Sequence, residues 1–115
     1  MNIDDLAARL RAFARERDWE QFHAPKNLAM ALAVEAAEMM EHFQWLTEQQ
    51  SAELSPAAKE QVAAELADVF IYTVRLADRL GVDLTTAVEA KIHVNAVKYP
   101  VEKSRGIAGK CTKPT

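Results

Sequence analysis

Apolar side chains recur at Ile3, Leu6, Ala7, Leu10, Phe13 and Ala14 with the spacing of one helical face, and Asn2 stands where a cap would. The pattern predicts a first helix over 3–17. Residues 18–24 are aromatic and break the period. Pro25 suits a first helical turn, and Leu28, Leu32, Met39, Phe43 and Leu46 mark the inward stripe of a second helix over about 25–48. A Ser- and Glu-rich connector leads to Ser55-Pro56, a cap followed by a proline. From there Val62, Leu66, Val69, Leu76 and Leu80 carry a third helix to Gly81. Asp83 can cap a fourth that ends before Pro100.

The expected fold is all-α, an antiparallel four-helix bundle whose second and third helices, about 25 residues each, form the centre. Residues 1–100 make the helical domain. Residues 101–115, with Gly106, Gly109, Lys110, Lys113 and Pro114, read as an irregular basic tail. Thin bundles commonly bury one flank against another copy, so a homodimer or homotetramer is expected.

Composition narrows the class. A chain of 115 residues supports one core, and three Gly with four Pro disfavour a β-rich fold. A single cysteine, Cys111, excludes an internal disulfide framework and a multi-cysteine zinc site. No apolar run reaches the roughly 20 residues of a membrane span, and Asp4 and Asp5 stand where a signal peptide would be basic. A cytoplasmic protein without a membrane partner is expected. The net charge is −3, with an acidic body and a basic tail, which does not suit a nucleic-acid polymer.

The acidic residues are placed where a core should be. On a wheel of about 100° per residue, Glu35 falls within about 20° of Leu28 and Leu46, with Glu38 about 60° further round. On the third helix Glu65 lies about 20° from Leu76, and Asp68 and Tyr72 share its flank. Carboxylates on helices are ordinarily solvated and paired with cations. Here none of Glu35, Glu38, Glu65 or Asp68 has a Lys or Arg three or four residues away, and Glu35, Glu38 and Glu41 repel one another. Such a cluster costs several kcal/mol per charge, about as much as any buried ion, unless cations or protons neutralise it. An all-oxygen donor set suits a hard divalent ion, Mg²⁺ before Mn²⁺ or Ca²⁺. A di-iron bundle would want Glu-x-x-His pairs on its helices, and the helical segments carry none.

The motifs Glu35-Ala-Ala-Glu38 and Glu65-Leu-Ala-Asp68 resemble the E-x-x-E and E-x-x-D signature of the all-α NTP pyrophosphatase superfamily, the MazG-like enzymes. The stretches Asp18 to His23, Lys26-Asn-Leu, Phe43-Gln-Trp45, Asp68 to Tyr72 and Lys91 to Pro100 are similar to its dCTP pyrophosphatase branch. The resemblance covers about residues 5–105. It implies cleavage of a nucleoside triphosphate between the α and β phosphates, to a monophosphate and pyrophosphate, as in nucleotide-pool sanitation. The substrate it implies is dCTP or a modified dCTP. It also implies Mg²⁺ held by Glu35, Glu38, Glu65 and Asp68, which then form the catalytic set. Substrate contacts carry over to Trp19, Glu20, Gln21, Phe22, His23, Trp45, Tyr72, Lys91 and Asn95. Where vertebrate members place a substrate-contacting His, nine residues before Trp19, this chain has Leu10.

The residues themselves fit such a site. Trp19 and Phe22 sit in a polar segment and Trp45 lies off its helix's stripe, so indole faces are free to sandwich a base. His23 can bond a base edge. Lys91 and Asn95 interrupt an apolar stripe, where a phosphate would neutralise the lysine. Glu38, the more outward glutamate of its pair, is the expected base or water-positioner. A catalytically silent nucleotide-binding module and a structural helical oligomer are the alternatives.

Overall fold

The computed structural model describes residues 1–108. Helix α1 (Ile3–Glu16) starts as the pattern requires. Asn2 Oδ1 accepts from Asp5 N at 2.7 Å, and Asp4 and Asp5 place negative charge at the positive end of the helix. The helix closes on Asp18, whose φ of 54° is left-handed, a conformation Asp tolerates better than most residues. Trp19 N then donates back to Ala14 O at 2.8 Å, so the chain turns and Trp19 follows α1 closely. A 3₁₀ turn over Glu20–Phe22 comes next.

Helix α2 (Pro25–Glu41) begins at the expected proline but ends seven residues before position 48. The reason lies in Thr47. Its hydroxyl accepts from Gln50 N at 3.1 Å while Gln50 Oε1 accepts from Thr47 N at 2.9 Å, a reciprocal capping box that starts α3 (Glu48–Ala52). A cap must be extended, as Thr47 is with ψ of 164°, so the preceding helix cannot run through it. Residues 42–45 are turns and Leu46 lies in a bend, so Phe43 and Leu46 leave the stripe assigned to them.

Helix α4 (Pro56–Leu80) matches expectation at both ends. Ser55 Oγ accepts from Ala58 N, and Gly81 adopts the left-handed C-cap at φ 67°. Helix α4 packs along α2 and against α1. Leu6 and Ala14 from α1, Leu28 from α2, and Val62, Val74 and Ala77 from α4 are buried. Leu66 and Leu80, assigned to the inward stripe, are exposed. These elements form one compact unit, Met1–Val82.

The second unit begins at Asp83. Asp83 Oδ1 accepts from Thr86 N at 3.0 Å and caps α5 (Leu84–Lys98). After Pro100 the chain makes one further helical turn, α6 (Val101–Ser104), where the sequence suggested only irregular backbone. Gly109, Lys110, Cys111, Lys113 and Pro114 lie outside the described residues. Among the described residues there is no strand, and no helix is long and apolar enough to cross a membrane.

Candidate metal centre and adjoining cavity

Glu35 and Glu38 stand about one turn apart on α2, and Glu65 meets them from α4. One carboxylate oxygen of each lies within 4.8 Å of the others. Like charges this close repel, and the repulsion shows in Glu35. Burial first, then Glu38, Glu65 and Asp68, push its carboxyl up from 4.5 to about 7. Asp68 is exposed and falls outside the group of three, yet it is near enough to add to that shift. The structure thus gathers three of the four expected carboxylates and leaves the fourth beside them. Among the described residues no Lys or Arg forms an ion pair with any of the four.

Two features at Glu65 bear on what the cluster can hold. Its Oε2 is buried without a hydrogen-bond partner, and a buried carboxylate oxygen left so is costly. Its Oε1 lies 3.9 Å from His42 Nε2. An orphaned oxygen in an all-carboxylate set fits a hard divalent cation, which would supply the missing charge. The sequence pattern assigns His42 no role. The signal was its spacing of seven from Glu35, which returns it to the same helix face just past the end of α2.

Beside the cluster lies a cavity of about 300 Å³. Its wall includes Leu10, Phe13, Trp19, His23, Tyr72 and Arg75, and Asp68 reaches the same cavity. Trp19 packs edge-on against Phe13 with ring centroids 5.7 Å apart, and its ring lies 6.4 Å from that of His23. Of the expected substrate residues, Trp19, His23 and Tyr72 are therefore brought together. Glu20 instead pairs with Arg15 at 3.5 Å, and Gln21 Nε2 donates to the backbone and side chain of Asp18. Phe22 is exposed and absent from the wall. Trp45 sits in the turn after α2, 87% exposed, rather than on a helix flank near Glu38. Lys91 and Asn95 lie exposed on α5 in the second unit.

A polar network that the sequence did not suggest holds the cavity's loop. Arg11 of α1 grips Asp78 of α4 with two bonds, Nη2 to Oδ1 at 2.6 Å and Nε to Oδ2 at 3.1 Å. The bonds from Arg11 hold the Asp78 carboxyl below the usual carboxylate range. Arg75 Nη1 donates to Asp78 Oδ2 at 3.0 Å, Arg75 Nε to His23 Nδ1 at 3.1 Å, and Arg79 Nε to His23 O at 3.1 Å. Burial of the ring, then Arg75 and Arg79, keep His23 harder to protonate than usual. Asp78→Ala would leave the buried Arg75 without its counter-charge. It should cost about 3 kcal/mol of stability, read as a lower urea midpoint at unchanged slope. A loss within experimental error would show that the network contributes nothing to the fold.

Known proteins resemble the chain both in sequence and in fold. The MazG-like family model matches residues 30–113. The chain is 46% identical over 112 residues to dCTP pyrophosphatase 1 of Rattus norvegicus, covering 96% of this chain and 66% of that protein. It is 42% identical over 113 residues to dCTP pyrophosphatase 1 of Homo sapiens, with the same coverage. The chain thus spans just under two thirds of the length of these relatives. A crystal structure of a pyrophosphatase from Archaeoglobus fulgidus superposes with a TM-score of 0.80 at 38% identity, over 84% of this chain and 91% of that one.

Proposed function

This chain belongs to the MazG-like family, and we propose that it is a nucleoside triphosphate pyrophosphohydrolase acting on dCTP or a modified dCTP. Water adds to the α-phosphorus, the bond to the oxygen bridging the α and β phosphates breaks, and a monophosphate and pyrophosphate leave. The observation that carries this reading is the group of three carboxylates with the buried, unpartnered Glu65 Oε2, set beside an aromatic cavity. The names of the relatives support the substrate class.

Glu35, Glu38, Glu65 and Asp68 are the proposed holders of the ion, Mg²⁺ before Mn²⁺. When bound, such an ion supplies positive charge opposite the phosphates and makes nearby water more acidic. Glu35 feels all three other carboxylates, so it is the one a cation relieves most. Glu38, the most exposed of the three clustered glutamates, is the group proposed to take the proton from the attacking water. Trp19 and Tyr72 offer faces against which a base can stack, and His23 a hydrogen bond to its edge. Glu20, Gln21, Phe22, Trp45, Lys91 and Asn95 enter the substrate set on the family resemblance alone. Exposed Met30, Val34, Leu66 and Phe70 suit burial against a second copy in a dimer or tetramer.

The test is to incubate the protein with Mg²⁺ and a panel of nucleoside triphosphates and to separate the products. Deoxycytidine monophosphate with pyrophosphate is the expected result. Diphosphate with orthophosphate would place the cleavage elsewhere, and no product from any nucleotide would leave a silent binding module or a structural oligomer.

A further inference from the structure

Arg75 is 3% exposed, yet its guanidinium is only partly satisfied. Nη1 and Nε have partners in Asp78 and His23, whereas Nη2 is buried with none. The bond to His23 has a consequence for the ring. A ring nitrogen that accepts a hydrogen bond cannot also carry the proton, so neutral His23 holds its proton on Nε2. Among the described residues His23 Nε2 makes no hydrogen bond of its own. Arg75 and His23 both line the aromatic cavity.

We propose that Arg75 sets the hydrogen-bond polarity of this cavity. It locks His23 as an Nε2–H donor and adds its own Nη2, so that the pair reads two adjacent acceptors on a base edge. Cytosine presents such an edge in O2 and N3. Uracil and thymine carry a hydrogen on N3 and would set donor against donor, leaving buried groups unpaired. The surrounding charges act in the same sense. Arg75, and Arg79 on the backbone carbonyl of His23, oppose protonation of the ring, and Glu20 is the carboxylate that works against them. Arg75 stays cationic at neutral pH, with Asp78 as its counter-charge and Arg11 and Arg79 as like charges. The proposal deepens the nucleotide-hydrolase reading and rests on it for the identity of the occupant.

The experiment combines the state of the ring with base selectivity. Nitrogen-15 shifts of His23 in the full chain should show a neutral Nε2–H ring at pH 7 to pH 8. A wild-type ring protonated on Nδ1, or on both nitrogens at pH 7, overturns the proposal. In Arg75→Met the ring should lose its single tautomer and protonate nearer pH 6.5. KM for dCTP should rise roughly 10- to 100-fold, more than kcat falls, and the preference over dUTP should collapse. Arg75→Lys keeps the charge without the fork and should behave as Arg75→Met does. An Arg75→Met variant with wild-type helicity and unchanged preference overturns the proposal. Asp78 retains its two bonds from Arg11, so the fold has reason to survive; if it does not, the wild-type tautomer decides. Calorimetry with dCMP and dUMP separates the two readings. Tighter binding of dCMP that Arg75→Met abolishes upholds the role of Arg75 even if no triphosphate is hydrolysed, which would defeat the hydrolase reading alone.

Discussion

Glu38→Gln should lower turnover by roughly 10²- to 10⁴-fold, the span expected when a proton acceptor or an ion-holding carboxylate is lost. The helical fold should persist. Gln has the shape of Glu, and the change removes one of several like charges crowded together, so the ion-free protein should become slightly more stable. Asp68→Asn should behave similarly, because Asp68 stands by the cluster and reaches the cavity. This combination distinguishes a working carboxylate from a structural one, since a structural carboxylate would lose stability when neutralised. Turnover near wild type in either variant, with circular dichroism unchanged, would remove that carboxylate from the catalytic set.

The second large effect is the coupling of Mg²⁺, pH and stability through Glu35. Its carboxyl is raised from 4.5 to about 7 in the folded protein. Between those values the folded chain holds a proton that the unfolded chain releases, so this group's contribution to stability is full below about 4.5 and is lost as pH rises through about 7. Asp78 acts with the opposite sign and in another window, its lowered carboxyl giving stability that is lost only as pH falls below the usual carboxylate range. His23, lowered, loses stability as pH falls below 6.5 and so works against Glu35 in part of the window. Comparison with Glu35→Gln isolates the glutamate. The variant should melt above wild type at pH 8, and the gap should close toward pH 5. Mg²⁺ at millimolar concentration should raise the wild-type melting temperature at pH 8, because it binds only the folded array, and should lose its effect as protons compete below pH 7. The same Mg²⁺ shift in Glu35→Gln as in wild type would place the ion elsewhere.

Much of the fold was legible because its punctuation is local. Asn2, Pro25, Ser55-Pro56, Gly81 and Asp83 each act within one turn, and each stands where the pattern put it. The end of α2 departs from the hydrophobic pattern for a physical reason. Apolar residues continue with helical spacing through Phe43 and Leu46, and the competing signal, the Thr47 to Gln50 capping box, carries little hydrophobic weight. Trp45 falls in the same segment and so leaves the helix flank the pattern gave it. In the site, Glu35, Glu38 and Glu65 were legible because carboxylates without cations on an apolar flank are costly until an ion or a proton neutralises them. Arg75 and Asp78 were not, since their partners Arg11 and His23 are distant in sequence and the four meet only in the folded chain. The spacing of seven from Asp68 to Arg75 was the available hint.

The central claim, that carboxylates from α2 and α4 share one divalent ion, is tested most directly by anomalous diffraction from crystals soaked in Mn²⁺. The expected result is strong anomalous density within coordination distance of Glu35, Glu38 and Glu65, with Glu65 Oε2 among the ligands. Soaked crystals with no peak at these three side chains, or with manganese held only at other surface carboxylates, would contradict it.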